Sequence, residues 1–456
     1  MKIATKSNSA RKMVEKAYEK IEATKDHNIF IYIREKSEAL KKADEIDEKI
    51  RKGEKVGRLA GVPYVAKDNY LTKIGTTTAS AHILEPFKSP LNGTVVTQLE
   101  NEDAILIGKT NLDAFAHGSS TENSYFGPTL NSKDKERVAG GSSGGSAVAV
   151  ALDIVQFATG SDTGGSIRQP ASFNGVYGFK PTYGATSRYG VVAMASSTDT
   201  MGFFTKTPED LDLLMEICAH EDPKDMTTLP DFYDGEAKKV KKIGIIKDFD
   251  NESVDEEIRF SLKKKAEDLK KQGYEIIELN MPTLKYALAV YYVVVPAEIA
   301  SNLSRYDGVR YGFRSEDSKD LSKLYEKTRD EGFMKENKRR IMIGNFVLSS
   351  GFYDAYFLKA AKARTKIINE YEEAFKKCDV ILTPVAPNPP FKLGEKVNDP
   401  VAMYLEDVMS TPINLAGLPG LTIPVGETKT GLPIGFQIVG PRRSDKTIIN
   451  FAKEIK

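Results

Sequence analysis

Two glycine- and serine-rich loops, separated by a short apolar segment, place the tightest limits on how this chain can fold. They occupy residues 140–146 (GGSSGGS) and 160–166 (GSDTGGS), and AVAVAL follows the first at 147–152. Glycine permits positive φ and close approach of backbone to a ligand, and consecutive amides can face an anion. The apolar run excludes a flexible Gly/Ser linker. We call these segments the first and second Gly/Ser loops, and they predict a polar site built largely from backbone.

The Gly/Ser loops are compatible with more than one chemistry. A phosphate-binding loop requires a lysine after its last glycine, and neither loop has one. The spacing Gly140-x-Ser142-x-Gly144 matches a nucleophile elbow, which needs a later histidine. Only His220 follows the loop, at the end of a predicted amphipathic helix. A serine nucleophile with a lysine base is the remaining interpretation.

A lysine at the end of a predicted buried strand is the candidate base. Val62, Tyr64 and Val65 favour a strand, and Lys67 ends it. Asp68 is the obvious partner of a surface lysine, but neighbours on a strand point to opposite faces, so the two need not pair. A lysine base must be neutral, which requires its pKa to fall from about 10.4 to about 7. Full burial can lower a lysine pKa by about 3 to 5, so Lys67 can act only in a nearly dry site without a contacting carboxylate.

The second Gly/Ser loop predicts how a nucleophile within it is supported. Ser166 lies at a predicted helix start, beside the positive end of the helix dipole. Asp162 and Arg168 flank this serine and are predicted to form a structural ion pair. The loop amides are the candidate oxyanion-hole donors, namely those of Thr163, Gly164, Gly165 and Ser166.

Three segments together resemble the amidase signature family of serine amidohydrolases. They are the first Gly/Ser loop, residues 162–170 (DTGGSIRQP) and residues 61–69 (GVPYVAKDN). The resemblance implies a Ser–Ser–Lys triad with Ser166 as the acyl-forming nucleophile and Lys67 as the base. It further implies that Ser142, 24 positions before Ser166, is a bridging serine on a cis peptide.

Later segments resemble a branch of this family that supplies ammonia within tRNA-dependent amidotransferase complexes. They are residues 304–312, 338–344, 349–356, 403–407 and 411–420. The resemblance implies hydrolysis of glutamine to feed the conversion of Glu-tRNA(Gln), and of Asp-tRNA(Asn) as a further acceptor. It also implies B and C partner subunits that hold the mischarged tRNA and use ATP and Mg, with no cofactor in this chain. The alternative is a stand-alone amidase of the same family acting on small or aryl amides.

Glutamine recognition requires two opposite charges beside the reacting amide. An arginine can hold the α-carboxylate bidentately, and an aspartate can hold the α-ammonium. On the positions that match this branch, Arg340 is assigned to the carboxylate and Asp407 to the ammonium, and Tyr291 is expected to line the pocket. Arg339 is the alternative carboxylate ligand, because it stands beside Arg340 in the same basic run.

The sequence predicts an α/β protein with one large domain, in which a mixed, mostly parallel sheet is covered by helices on both faces. Residues 242–279 show a strand–helix–strand pattern that favours parallel pairing. Residues 1–55 are expected to form a helical segment packed on the core. Residues 56–456 form the amidase signature domain, with a catalytic core at about 60–205 and a helical substrate-pocket region at about 283–375.

Composition excludes several classes of function. The 456 residues carry a net charge of +1, so no overall field attracts nucleic acid or an anionic membrane. The only cysteines, Cys218 and Cys378, are far apart, which favours a reducing compartment without a disulfide framework. No His/Cys cluster has metal-ligand spacing, so no metal is expected. No apolar run approaches 18 residues, and we therefore expect a cytoplasmic protein.

Overall fold

A mixed β-sheet of eleven strands runs through the protein. The computed structural model describes residues 1–249, 251–316 and 320–455. The strands are β1 (Phe30–Ile33), β2 (Pro63–Lys67), β3 (Ile105–Thr110), β4 (Phe157–Asp162), β5 (Tyr177–Lys180), β6 (Thr200–Thr205), β7 (Lys242–Ile246), β8 (Glu275–Leu279), β9 (Val380–Pro384), β10 (Gly420–Glu427) and β11 (Pro433–Val439). Their order across the sheet is β1-β3-β2-β4-β6-β5-β10-β11-β9-β7-β8.

Helices pack on both faces of this sheet. They are α1 (Ala10–Ala23), α2 (Lys36–Lys52), α3 (Thr94–Asn101), α4 (Gly144–Ala151), α5 (Arg168–Asn174), α6 (Pro208–Cys218), α7 (Glu256–Lys271), α8 (Ala287–Leu303), α9 (Leu321–Gly332), α10 (Lys335–Leu348), α11 (Lys359–Phe375), α12 (Pro400–Leu405), α13 (Thr411–Leu415) and α14 (Asp445–Glu454). Helices α8 to α11 lie in the region 283–375 that the sequence predicts to be helical.

Alternation along the strands divides the core into two layers. In β2, Tyr64 and Ala66 join one buried cluster while Val65 joins the other, because successive side chains on a strand face opposite ways. Helices α1, α2 and α4 contribute to the cluster that contains Val65. Helices α8 and α11 contribute to the cluster that contains Tyr64. The expected arrangement, one α/β domain with a helical layer on each face, is confirmed.

The sheet is mixed as expected, but parallel pairs do not predominate. Strands β7, β8 and β9 pair in parallel, with α7 following β7 and preceding β8, as the pattern over residues 242–279 predicts. The stretch from β4 through β6, β5, β10 and β11 to β9 is antiparallel throughout. Strand β11 is buried along its whole length, so it lacks the polar alternation by which a strand of an antiparallel hairpin is recognised in sequence.

Parallel pairing at the centre of the sheet brings the candidate site together. Strands β2 and β4 are parallel neighbours, so their carboxyl ends reach the same edge. Lys67 ends β2 and Asp162 ends β4. Helix α4, which begins at Gly144 immediately after Ser142 and Ser143, packs against both strands. The two Gly/Ser loops and the lysine therefore meet at one edge of the sheet.

Helix α8 is long and apolar but belongs to the core. Together with the preceding turn it forms Leu284–Leu303, the one candidate membrane span by length and composition among the described residues. Of this window, 61% is buried inside the protein, where Val290, Tyr291 and Val294 pack in the core. Its apolar character therefore reflects packing against the sheet and the neighbouring helices.

Candidate active site

Lys67 is fully buried beside serine hydroxyls at the end of β2. Its Nζ lies 2.7 Å from Ser142 Oγ and donates to Ser161 Oγ at 2.9 Å. Burial lowers the pKa of Lys67 from 10.5 to about 7, while the charges of nearby carboxylates, chiefly Asp113, partly oppose the shift. No carboxylate of the described residues forms an ion pair with Lys67, and Asp68 instead lies 2.9 Å from Lys109 Nζ. The amine is thus dry and poised to be neutral near pH 7.

The first Gly/Ser loop holds Ser142 against Lys67 through tight backbone packing. The peptide bond between Gly141 and Ser142 is cis, as the family resemblance implies. A Cβ on Gly141 would lie 2.1 Å from Asp113 Oδ2, so only glycine fits there. The Gly141 amide donates to Gln169 Oε1 at 2.8 Å, and the Asp113 amide donates to the Ser142 carbonyl at 3.2 Å. These contacts fix the backbone on both sides of the serine.

Ser166 is brought beside the first loop, but its hydroxyl is not joined to that of Ser142. The Ser143 amide donates to the Ser166 carbonyl at 3.2 Å, which ties the two Gly/Ser loops together. Ser166 keeps 7% of its surface exposed. Both serines lie in the described part of the chain, and no hydrogen bond links their hydroxyls there. Catalytic hydrogen bonds are often longer without substrate, so this geometry is compatible with a relay that tightens on binding.

The oxyanion-hole amides of the second Gly/Ser loop are only partly available. The Gly165 amide donates to Asp162 Oδ1 at 2.9 Å, so this predicted donor is already engaged. The amides of Thr163, Gly164 and Ser166 have no hydrogen-bond partner among the residues that the structure describes. An oxyanion held beside Ser166 would therefore meet these three donors first.

Asp162 and Arg168 form the predicted structural ion pair. Both side chains are fully buried, with Arg168 Nη2 3.0 Å from Asp162 Oδ1. Burial would raise the pKa of Asp162, but the charge and hydrogen bonds of Arg168 outweigh it and hold that pKa far below its usual range. Arg168 also donates to the Ser410 carbonyl at 3.1 Å, and Ser410 Oγ donates to the Gly164 carbonyl at 2.6 Å. The pair thus fixes the second Gly/Ser loop from behind.

Arg340 lines a cavity of about 250 Å³ whose other lining residues belong to the segments 113–123, 334–339 and 396–404. Its Nε donates to Glu336 Oε1 at 2.9 Å, and its guanidinium carbon lies 5.3 Å from the ring centroid of Tyr292 and 5.5 Å from that of Tyr404, two rings that stack on each other. Its two terminal nitrogens have no hydrogen-bond partner within the described ranges. Arg339 also lines the cavity and pairs with Glu336, but its side chain remains 32% exposed. Arg340 is therefore the better placed of the two to hold a carboxylate bidentately.

Tyr291 and Asp407 lie against the second Gly/Ser loop. A Cβ on Gly164 would lie 2.6 Å from the Tyr291 hydroxyl, and one on Gly165 would lie 3.8 Å from Asp407 Oδ1. Asp407 accepts a hydrogen bond from Ser119 Oγ at 2.6 Å. Burial raises the pKa of Asp407 to about 7, although that hydrogen bond and the charge of Arg340 oppose the shift. The second loop is thus flanked by a neutral phenol and a titratable carboxylate.

Several residues of the site carry little or no signal in the sequence. Ser161 contacts Lys67, and Ser119 contacts Asp407 across 288 positions of the chain. Ser119 belongs to the polar segment 118–123, most of which lines the cavity. Glu336 carries no signal in the sequence, because a glutamate on a charged helix is usually solvated.

The histidine interpretation of the first loop is wrong. His220 lies exposed at the end of α6, where its Nε2 contacts the Glu216 carbonyl at 2.9 Å. Within the described ranges, no group of three or more His, Cys, Asp and Glu side chains is arranged to hold a metal ion. Cys218 and Cys378 are both buried as free thiols.

Known proteins share this chain's sequence and fold. The family model for Amidase matches residues 12–449. The A subunit of the glutamyl-tRNA(Gln) amidotransferase from Persephonella marina is 50% identical over 438 residues, covering 94% of this chain and 90% of that protein. The protein of the same name from Koribacter versatilis is 47% identical, covering 100% of this chain and 96% of that protein.

Solved structures agree with these relatives. The crystal structure of the glutamyl-tRNA(Gln) amidotransferase A subunit from Thermotoga maritima has a TM-score of 0.80 and 39% identity, covering 98% of this chain and 91% of that chain. The crystal structure of an amidase has a TM-score of 0.83 and 31% identity, covering 97% of this chain and 95% of that chain. The protein therefore belongs to the amidase family.

Proposed function

We propose that this protein is the glutaminase subunit of a tRNA-dependent amidotransferase, which hydrolyses glutamine through Lys67, Ser142 and Ser166. The observation that carries the proposal is the dry Lys67 amine, 2.7 Å from Ser142 Oγ and with a pKa of about 7. Near-full-length identity of 50% to the A subunit of a glutamyl-tRNA(Gln) amidotransferase supports the substrate and the complex. The ammonia released would convert Glu-tRNA(Gln), and in addition Asp-tRNA(Asn), to the amidated form.

The proposed chemistry passes one proton along the triad and back. Neutral Lys67 takes a proton from Ser142, which takes one from Ser166, and Ser166 Oγ bonds to the side-chain amide carbon of glutamine. The oxyanion is stabilised by the amides of Thr163, Gly164 and Ser166, and by that of Gly165 once it leaves Asp162. The C–N bond then breaks, and ammonia departs with the returned proton. Water cleaves the seryl ester to release glutamate and restores the Ser166 proton.

The proposed substrate contacts follow from charge and burial. The unpartnered terminal nitrogens of Arg340 suit the α-carboxylate, and a bidentate pair of this kind is strong. Asp407 suits the α-ammonium, and an ammonium in contact would favour its ionised form. The neutral Tyr291 hydroxyl would border the amide, because it packs against Gly164. An amide without an amino-acid head would leave the terminal nitrogens of Arg340 without a carboxylate and Asp407 without a cation.

We assign the second reaction, the amidation of the mischarged tRNA, to partner subunits. This chain has no nucleotide-binding motif and a net charge of +1, so we propose that B and C subunits bind the mischarged tRNA and use ATP and Mg in the cytoplasm. A cluster of exposed apolar side chains on α10 and the turn after it supports a permanent partner. We call it the aromatic surface: Met342, Phe346, Phe352, Tyr353 and Tyr356.

A direct test compares glutamine hydrolysis by the wild type and the Ser166→Ala variant in complex with the B and C subunits. Loss of the nucleophile should reduce the rate by at least about 10³-fold. Ser146→Ala is the matched control, because Ser146 is a buried serine of the first Gly/Ser loop whose hydroxyl contacts Thr110 and the Thr159 carbonyl instead. Wild-type activity in Ser166→Ala would remove Ser166 from the role of nucleophile. Preference for acetamide or anilides without partners would favour the stand-alone amidase instead.

A further inference from the structure

His117 is a buried side chain of the cavity wall that the proposed mechanism does not use. It follows the short helical turn Ala114–Ala116 and is fully buried. It lines the same cavity as Arg340, and the positive charge of Arg340 contributes to lowering the pKa of His117. Its Nε2 is buried and has no hydrogen-bond partner among the described residues. A buried nitrogen without a hydrogen-bond partner is energetically unfavourable. A ligand that forms a hydrogen bond with Nε2 would remove this cost.

Asn337 determines which ring nitrogen of His117 carries the proton. Asn337 Oδ1 accepts from the Met334 amide at 3.2 Å, and Nδ2 donates to the Ala114 carbonyl at 2.8 Å. A flipped amide would lose both bonds, so its orientation is fixed. The same Nδ2 lies 2.8 Å from His117 Nδ1, which must therefore accept. The proton of a neutral ring is then on Nε2.

The ring is held neutral by its surroundings. Burial, assisted by the positive charge of Arg340, lowers the pKa of His117 well below its usual value. A neutral imidazole with Nδ1 accepting is a donor at Nε2. Two residues that line one cavity therefore carry unpaired donors, the Nε2–H of His117 and the terminal nitrogens of Arg340. Glu336, the acidic side chain beside Arg340, is already bonded to Arg340 and to the Tyr404 hydroxyl.

We propose that His117 Nε2–H donates to the α-carboxylate of the substrate that Arg340 holds, which makes His117 a specificity-determining residue. The inference rests on the proposed function and extends it. A carboxylate offers four lone-pair sites, so it can accept a bidentate arginine and a third donor together. Asn337 acts through His117 as a positioning residue, because it sets the tautomer that donates. An amide substrate without the carboxylate gains nothing from this donor.

Two substitutions of His117 distinguish the effect of its hydrogen-bond donor from the effect of its ring volume. In His117→Gln the side-chain amide can place a donor where Nε2 lies, whereas His117→Asn reaches only the position of Nδ1. Both are measured in the full complex with glutamine and with 4-aminobutanamide, which keeps the ammonium and the reacting amide but lacks the α-carboxylate. We expect His117→Asn to raise KM for glutamine about tenfold with kcat nearly unchanged, His117→Gln to restore most of the affinity, and neither to change kcat/KM for 4-aminobutanamide. Equal losses on both substrates, equal behaviour of the two variants, or no loss would overturn the proposal.

A measurement on the wild type keeps the test informative if the variants fold poorly. The chain has four histidines, so ¹⁵N-histidine labelling gives few signals to assign. We expect His117 to show a protonated Nε2 and a bare Nδ1, and the Nε2 signal to move on addition of glutamate but not of 4-aminobutyrate. A protonated Nδ1, or no response to glutamate, would overturn the proposal. A wild-type complex that does not hydrolyse glutamine would instead refute the proposed function.

Discussion

Lys67 and Lys109 illustrate how the contacts of a buried amine decide what it can do. Both are fully buried. Burial lowers the pKa of both amines, but Lys109 lies 2.9 Å from a carboxylate oxygen of Asp68, which opposes the shift, whereas Lys67 contacts hydroxyls. Keeping the Lys67 pKa at about 7 instead of 10.5 costs about 5 kcal/mol of stability below pH 7, a cost that falls as pH rises from 7 and is gone above 10.5. Such a cost is typical of residues retained for function.

The pH dependence of turnover should report Lys67. We expect kcat for glutamine to rise with pH through about 7, because the base must lose its proton and its folded pKa lies there. The Asp113 carboxylate favours the ammonium form, so Asp113→Asn should move this limb to lower pH. Asp407 also titrates near 7 in the free protein, which is why kcat rather than kcat/KM is measured.

Asp153→Asn serves as the control for this shift. The Asp153 side chain is 66% exposed, so its charge is screened by solvent and the limb should stay in place. If the rising part of the pH profile does not move in Asp113→Asn, or moves equally in both variants, the titration does not belong to Lys67. Because burial raises the pKa of Asp113 to about 7 as well, the limb belongs to the coupled pair.

At the scale of single residues, the sequence identifies which side chains belong to the site better than it identifies the contacts between them. The resemblance of local segments to the amidase signature family identifies Lys67 and Ser142, and the structure brings them to 2.7 Å. The contact between Ser119 and Asp407 spans 288 positions and depends on how α12 and the loop after it fold over the site. The bond from the Gly165 amide to Asp162 depends on the turn geometry, which residue types alone do not fix.

The second Gly/Ser loop is the element whose shape the chemistry depends on most. Gly164→Ala would place a Cβ 2.6 Å from the Tyr291 hydroxyl, so the turn or the phenol must move. A displacement of about 1 Å at a reacting centre can cost about 10² in rate, and we expect kcat to fall by that order. Gly235→Ala is the control, because a Cβ there meets nothing within 4 Å. Steady-state kinetics on both variants check this, and an active Gly164→Ala enzyme would show that the packing is not required.

The ion pair behind the loop is expected to matter for stability. Arg168→Met leaves Asp162 buried with its charge unpaired, and breaking a buried pair in this way costs about 3–5 kcal/mol. Chemical denaturation should detect this loss. Arg51→Met provides the comparison, since Arg51 pairs with Glu48 on the surface, where solvent screens the pair, and its loss should cost far less stability. Similar losses in the two variants would contradict a stabilising role for the buried pair.

The helices and strands also differ in how well the sequence predicts them. The strand–helix–strand pattern at 242–279 is recognisable because α7 carries a regular apolar face. The sequence predicts a strand at 153–159, but β4 begins only at Phe157, after Asp153 adopts a positive φ of 58°. Strand β11 gives no comparable signal, because it is buried throughout and shows no alternation.

At the scale of the whole molecule, charge and apolar surface are distributed differently. The net charge is +1, and the acidic and basic residues nearly balance. Four exposed aromatic side chains, in contrast, gather on the aromatic surface, where Phe346 lies 4.3 Å from Phe352 and 5.6 Å from Tyr356 between ring centroids. Helices α1 and α2, at the other end of the chain, join the core cluster that contains Val65. Folding of this chain alone therefore leaves the aromatic surface exposed.

The aromatic surface should carry part of the binding energy for the partner subunits. Phe346 is 46% exposed, so Phe346→Asp should leave folding of the chain intact while it places a charge within a desolvated interface. Aromatic residues at interface centres typically contribute at least about 2 kcal/mol, which predicts at least tenfold weaker binding to the B and C subunits. Met226→Asp is the control, because Met226 is 89% exposed and lies in the loop after α6. Analytical ultracentrifugation would measure both affinities, and a Phe346→Asp chain that binds as tightly as the Met226→Asp chain would place the interface elsewhere.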